Sequence, residues 1–314
     1  MPGEDFPEAT RTVLGELPDL AHLPELPARG AIAGMIGRTA GLVADLGFDL
    51  QPAGWRLTDA SGVDHRRARS LLGQDLDTLE ELTQGYDGRL KVQVVGPWTL
   101  ASAIEKPRGD KVLSDVGARR DLAQALAEGV VEHLADVHRR VPAASLVLQV
   151  DEPSLPLVMT GQVPTASGFH RHRSVDAPAA SQALEWVIAA AGPATTVVHC
   201  CAADVPVALF RGAGAQAVSV DLGVLAAAAY DELATVLDQG GEAWLGVVPS
   251  SGPGEPTTRV ALDRTLRLLD MLGFDPAEVS DRLVLTPACG LAGADPAYAR
   301  QALRAVREAA AEVG

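Results

Sequence analysis

The sequence predicts a single α/β domain built as a (β/α)8 TIM barrel, and three observations carry that prediction. Short runs of Val, Leu and Ala alternate with longer amphipathic runs from about residue 91 onward. Such alternation belongs to a parallel sheet whose strands are buried on both faces. A length of 314 residues suits closure of these units into one barrel. No G-x-G-x-x-G follows an early strand, so a doubly wound dinucleotide fold lacks its main mark.

Residues 1–90 are the irregular part. The stretch 14–26, with Pro18 and Pro24 and then Pro27, reads as loop and short turns. Residues 31–46 read as helix. Residues 50–60, with Gly54, Trp55 and Thr58, read as a hairpin beside the barrel, its first strand truncated or missing. His65-Arg66-Arg67, followed by Arg69, reads as the exposed start of a helix. Residues 91–314 hold the regular units, with strands expected at 91–95, 145–150, 195–199, 217–221, 243–248 and 283–286. Between them, 118–141 places Leu122, Leu126, Val130, Leu134 and Val137 at helical spacing. Helices are likewise expected at 179–191, 226–237, 257–272 and 295–313, the last opening with Asp295-Pro296 as cap and first turn. Residues 251–256 read as a loop after a strand. No repeat or Gly/Ser-rich linker divides the chain, so 1–314 is expected to be one domain.

Composition narrows the function. With 26 basic and 41 acidic residues the net charge is −15, which repels phosphate backbones and anionic lipid heads. Nucleic acid and membranes are therefore excluded as partners. No apolar run is long enough to span a bilayer, and the opening residues carry no export signal. Three cysteines in a cytoplasmic chain are expected to be free or metal-bound thiols.

Those thiols fall at strand ends. Cys200 and Cys201 follow His199, and Cys289 follows the last strand. Strand C-termini converge on one face of a parallel barrel, where active sites lie. Residues two apart on a strand point the same way, so His199 and Cys201 can share a ligand while Cys200 turns into the core. Asp221 ends the neighbouring strand. Two thiolates, an imidazole and a carboxylate suit tetrahedral zinc; burial of cysteine as a small hydrophobe is the competing reading. Gln149-Val150-Asp151-Glu152-Pro153 ends another strand on two carboxylates. Asp151 either faces the mouth and binds substrate or caps the next turn, and Glu152 beside it is expected to bind substrate. In Gly96-Pro97-Trp98-Thr99, Trp98 either walls the substrate pocket or packs in the core. His170 and His172 read as a solvated loop.

Together Gly96-Pro97-x-Thr99, Gln149-x-Asp151-Glu152-Pro153, His199-x-Cys201 and Cys289-Gly290-Leu291 resemble the catalytic barrel of cobalamin-independent methionine synthases. The resemblance covers roughly residue 91 to the C-terminus and extends to the wider uroporphyrinogen decarboxylase superfamily. It implies one zinc ion per chain on His199, Cys201 and Cys289, with Asp221 where the family has glutamate. It implies that Asp151 holds the amino group of homocysteine, and that zinc lowers the substrate thiol's pKa so that a thiolate attacks the methyl donor. The donor implied is methyl-folate or a methyl-corrinoid. Two family features have no counterpart: an Asp-x-His-Ser, where Val247-Val248-Pro249-Ser250-Ser251 stands, and an opening Ile-Gly-Ser strand. Two alternatives stay open on those departures. One is corrinoid-dependent methylation of another thiol, and the other is a non-catalytic protein of this fold that binds zinc or homocysteine.

Overall fold

A computed structural model describes residues 1–252 and 254–313. Among them lie strands β1 (Leu20–His22), β2 (Gly47–Gln51), β3 (Gly54–Thr58), β4 (Arg89–Val95), β5 (Ser145–Asp151), β6 (Thr195–Cys200), β7 (Ala217–Asp221), β8 (Glu242–Val248) and β9 (Leu283–Pro287). The helices are α1 (Phe6–Glu16), α2 (Met35–Ala40), α3 (Val63–Leu82), α4 (Pro97–Ala103), α5 (Val116–Arg140) and α6 (Leu155–Met159). They continue with α7 (Ala177–Ala189), α8 (Val207–Gly212), α9 (Ala228–Asp238), α10 (Thr258–Leu272), α11 (Pro276–Val279) and α12 (Pro296–Val313).

Seven strands form one all-parallel sheet in the order β1-β4-β5-β6-β7-β8-β9 among the described residues. Side chains show how far it curls. Arg89 on β4 and Glu242 on β8 meet at 3.0 Å. Four strand spacings would hold them roughly 19 Å apart in a flat sheet, well beyond the reach of two side chains. The architecture is therefore the expected α/β barrel type, its sheet counting seven strands with no ladder joining β1 to β9 among the described residues.

Strand alternation sorts the sheet into two faces. Leu90, Val92, Leu148, Val198, Val218 and Leu245 point outward into the main core beneath the helices, each at most 1% exposed. Val147, Val197, Ala217 and Trp244, with Leu20 and Val284 against them, form a separate apolar plug inside the barrel. Burial of each such aliphatic or aromatic side chain contributes roughly 1.5–3 kcal/mol. Below the plug lies the Arg89–Glu242 pair, where Glu242 also accepts from the Trp244 indole at 2.9 Å. Above it the inward residues are polar, and they form the mouth.

Helix starts follow local chemistry. Asp115 accepts from the Ala118 amide at the start of α5, and Asp176 does the same for Ala179 at α7. Asp295 accepts from the amides of Ala297 and Tyr298 at α12, the cap expected from Asp-Pro. No helix among the described residues is long and apolar enough to cross a membrane.

The N-terminal part departs most from expectation. The Pro-rich stretch contains β1, which pairs with β4 through Leu20↔Arg89 and His22↔Lys91. The helix expected over 31–46 shrinks to the six residues of α2. The hairpin is present as β2 and β3, paired from Gly47↔Thr58 to Gln51↔Gly54. His65 does lie in the first turn of α3 but is buried, its Nδ1 2.9 Å from the Ser61 hydroxyl and its ring edge-on to Phe48. The helix face turned to the hairpin, rather than solvent, receives it. In the 251–256 loop, Pro253 lies outside the described residues.

Candidate metal centre and substrate mouth

β6 delivers the first two donors. Val197 faces the plug, so the same alternation turns His199 and Cys201 to the interior and Cys200 to the outer core, where it is fully buried. Burial pushes the Cys200 thiol up to about 12, which keeps it protonated and inert. Cys289 arrives from the segment after β9, on the far side of the curl. The ligand atoms of His199, Cys201 and Cys289 all lie within 4.8 Å of one another.

The electrostatics of this trio are those of a proton-sharing pair. The Cys289 thiol is pulled well below its ordinary value by hydrogen bonds from Cys201 and His199, while Cys201 is pushed up by the same partner and by burial. The two sulfurs thus differ in proton affinity, with the lower on Cys289, beside the His199 imidazole. The second ring nitrogen is taken, because His199 Nδ1 sits 2.9 Å from the Ser219 hydroxyl on β7, which leaves Nε2 as the free nitrogen. Tetrahedral zinc, at about 2.3 Å from sulfur and 2.0–2.1 Å from nitrogen, holds its donors roughly 3.3–3.8 Å apart. The trio meets that requirement with small side-chain adjustments, so its residues fit the ion.

Asp221 is not part of the trio among the described residues. It ends β7 facing inward, and its Oδ1 accepts from the Gly223 amide at 2.7 Å. One oxygen of its short side chain is thus taken by its own turn. Its other oxygen, Oδ2, makes no hydrogen bond among the described residues.

The two adjacent carboxylates of β5 have different fates. Asp151 points into the mouth, where burial raises its carboxyl to about 6 against the charges of His199 and Lys91. One protein donor reaches it, Gln149 Nε2, at 2.7 Å. Glu152 turns the other way and is wholly buried. Its Oε1 accepts from the Trp98 amide, and its Oε2 from the Thr99 amide and hydroxyl, at 2.7–2.8 Å. Glu152 therefore caps α4 rather than binding substrate, as the expectation had it. A carboxylate at a helix N-terminus satisfies amides that the helix cannot. The close fit explains Gly96, whose hypothetical Cβ would lie 2.4 Å from Glu152 Oε1.

Trp98 also moves out of the site. Its indole is 4% exposed and donates to the Ala180 carbonyl at 2.9 Å, which locks it between α4 and α7 instead of at the mouth. His172, expected in solvent, is buried with Nε2 3.3 Å from Asp110. Ser219 and Lys91 escaped the sequence reading. Ser219 stands in register with His199, Ser219↔His199 across β6 and β7, and that pairing is the signal that could have found it.

A family model described as the catalytic domain of cobalamin-independent synthase matches residues 81–312. The chain belongs to this family. The matched residues hold all three donors and both carboxylates of β5. The fold is similar to that of a B12-independent methionine synthase from Shewanella sp. W3-18-1, solved in complex with selenomethionine. That likeness has a TM-score of 0.65 at 13% identity, covering 98% of this chain and 87% of the other. No curated protein matches the sequence. In this member of the cobalamin-independent synthase family, the donor trio and Asp151 share the mouth, while Glu152 and Trp98 support it from outside.

Proposed function

We propose that the chain is a zinc-dependent methyltransferase that converts homocysteine to methionine. The observation that carries this reading is the convergence of His199, Cys201 and Cys289 at the C-terminal mouth of the barrel. Three protein donors leave one position of a tetrahedral ion for a substrate sulfur, which is the pattern of a catalytic rather than a structural site. Zinc bound there would lower the pKa of an incoming thiol, ordinarily about 8.5, so that it attacks as thiolate near neutral pH.

The chain's own residues supply the rest. Ser219 holds His199 with Nε2 free. Asp151, with one oxygen still free of protein donors, holds the substrate ammonium. Family membership supports the reaction class, and the neighbour solved with selenomethionine supports an amino-acid ligand. The methyl group would come from methyl-folate or a methyl-corrinoid.

The test is methionine formation, followed by mass spectrometry, from homocysteine and either methyltetrahydrofolate polyglutamate or methylcobalamin. The expected result is turnover with one donor in zinc-loaded protein and none after chelation. Zinc-loaded, folded protein that forms no methionine with either donor would overturn the proposal.

A further inference from the structure

An amino-acid thiol has three poles: sulfur, ammonium and carboxylate. The metal centre answers the first and Asp151 the second. The third can be met by a cation within the same mouth, and strand register restricts which strand residues can supply one. Among the described residues, the strand positions that face the barrel interior contain two cations, Arg89 and Lys91, both on β4.

These two lie in different layers. Arg89 is below the apolar plug and is committed to Glu242, with its guanidinium also over the Trp244 ring at 5.8 Å. Lys91 is one inward position higher, in register with His22 on β1 and Val147 on β5. Its ammonium makes a single long hydrogen bond, 3.4 Å, to Gln93 Oε1. The orientation of that amide is set by Gln93 Nε2, which donates to the Leu23 carbonyl at 2.9 Å. Lys91 thus rises from the level of the plug towards Gln93, facing the interior with donor capacity to spare. Burial pulls its ammonium below the ordinary lysine value, opposed by the charges of Asp151, Glu25 and Cys289. The neighbouring inward imidazole, His22, is held neutral by burial and by Lys91 itself, so it offers no competing charge.

We infer that Lys91 is a specificity residue that receives the α-carboxylate of the substrate, selecting amino-acid thiols over simple alkyl or amino thiols. The inference rests on the proposed function and deepens it. With Asp151 on the ammonium and Lys91 on the carboxylate, the two ends of the zwitterion are held by opposite charges on adjacent strands, and the sulfur is left to reach the trio.

Calorimetric titration of the zinc-loaded full chain separates the possibilities. The two ligands are L-homocysteine and 3-aminopropanethiol, which keeps the thiol and amine but lacks the carboxylate. Wild type is expected to bind homocysteine at least about tenfold more tightly, the size of one charge-assisted hydrogen bond. Lys91→Met should weaken homocysteine alone and shrink that preference to about twofold or less, with zinc content unchanged. Lys91→Arg, which keeps the charge, should restore part of it. A wild-type protein without preference overturns the inference whether or not the variants fold. So does a preference that survives in Lys91→Met. Binding of neither thiol by zinc-loaded wild type overturns the proposed function, and this inference with it.

Discussion

The two ends of the barrel interior use the same kinds of side chain to opposite effect. At the base, Arg89 and Glu242 satisfy each other, Trp244 donates to the same carboxylate and packs under the guanidinium, and nothing is left over. At the mouth, among the described residues, Lys91 has one long hydrogen bond, Asp151 has one donor, and the trio brings two thiols and an imidazole together. Partly buried polar groups usually find protein partners. Where they do not, on a face to which all the strand ends converge, they are open to water and to a ligand. The difference teaches that charge inside this barrel is read by its completeness rather than by its presence.

The largest expected effect breaks the mouth alone. Structural zinc sites are worth about 10–16 kcal/mol over four ligands, so losing one costs roughly 3–4 kcal/mol. Cys289→Ser should weaken zinc at least about a hundredfold in competition with a chromophoric chelator, and elemental analysis should fall from about one ion per chain. Metal-free melting temperature should be nearly unchanged, because the Cys289 side chain is exposed.

A pH titration sharpens the same comparison. The Asp151 carboxyl is raised to about 6 by burial, so it is ionised above that value and neutral below it. Its attraction for an ammonium is therefore present above about pH 6 and lost as pH falls. The ratio of homocysteine affinities, wild type over Asp151→Asn, should drop about tenfold between pH 7 and pH 5. A ratio independent of pH would remove Asp151 from ligand binding, and the comparison with it.

The smallest effect belongs to the base. Glu242→Gln leaves Arg89 without its anion, yet both side chains are about a third exposed, at 32% and 27%, so water screens the loss. The expected cost is about 1 kcal/mol in urea unfolding, with zinc affinity unchanged. Loss of zinc in this variant would show that the two ends are coupled.

Much of this was legible in the sequence, for identifiable reasons. Six of the seven barrel strands announce themselves because parallel strands buried on both faces are continuous apolar runs. The period of two placed His199 and Cys201 together and sent Cys200 outward, as found. β1 escaped because three residues flanked by Pro18 and Pro24 carry too little pattern. The sequence left Trp98 between pocket and core and put Glu152 at the substrate because their partners are distant: Ala180 lies 82 residues from Trp98, and the α4 amides lie 53–54 from Glu152. Nothing local distinguishes a carboxylate that caps a remote helix from one that faces a ligand. Asp221 differs in having a local partner, a hydrogen bond only two residues away. Lys91 drew no reading at the start of its strand, since only the curl of the sheet reveals that this face of β4 lines the barrel interior.

That curl has a kinetic consequence. Arg89 and Glu242 are 153 residues apart in sequence, and their meeting requires β4 through β8 to be already laid side by side. Ordering so long a loop costs entropy before the contact returns anything. The pair belongs to the last step of closure, so it acts on how long the folded chain survives rather than how fast it forms.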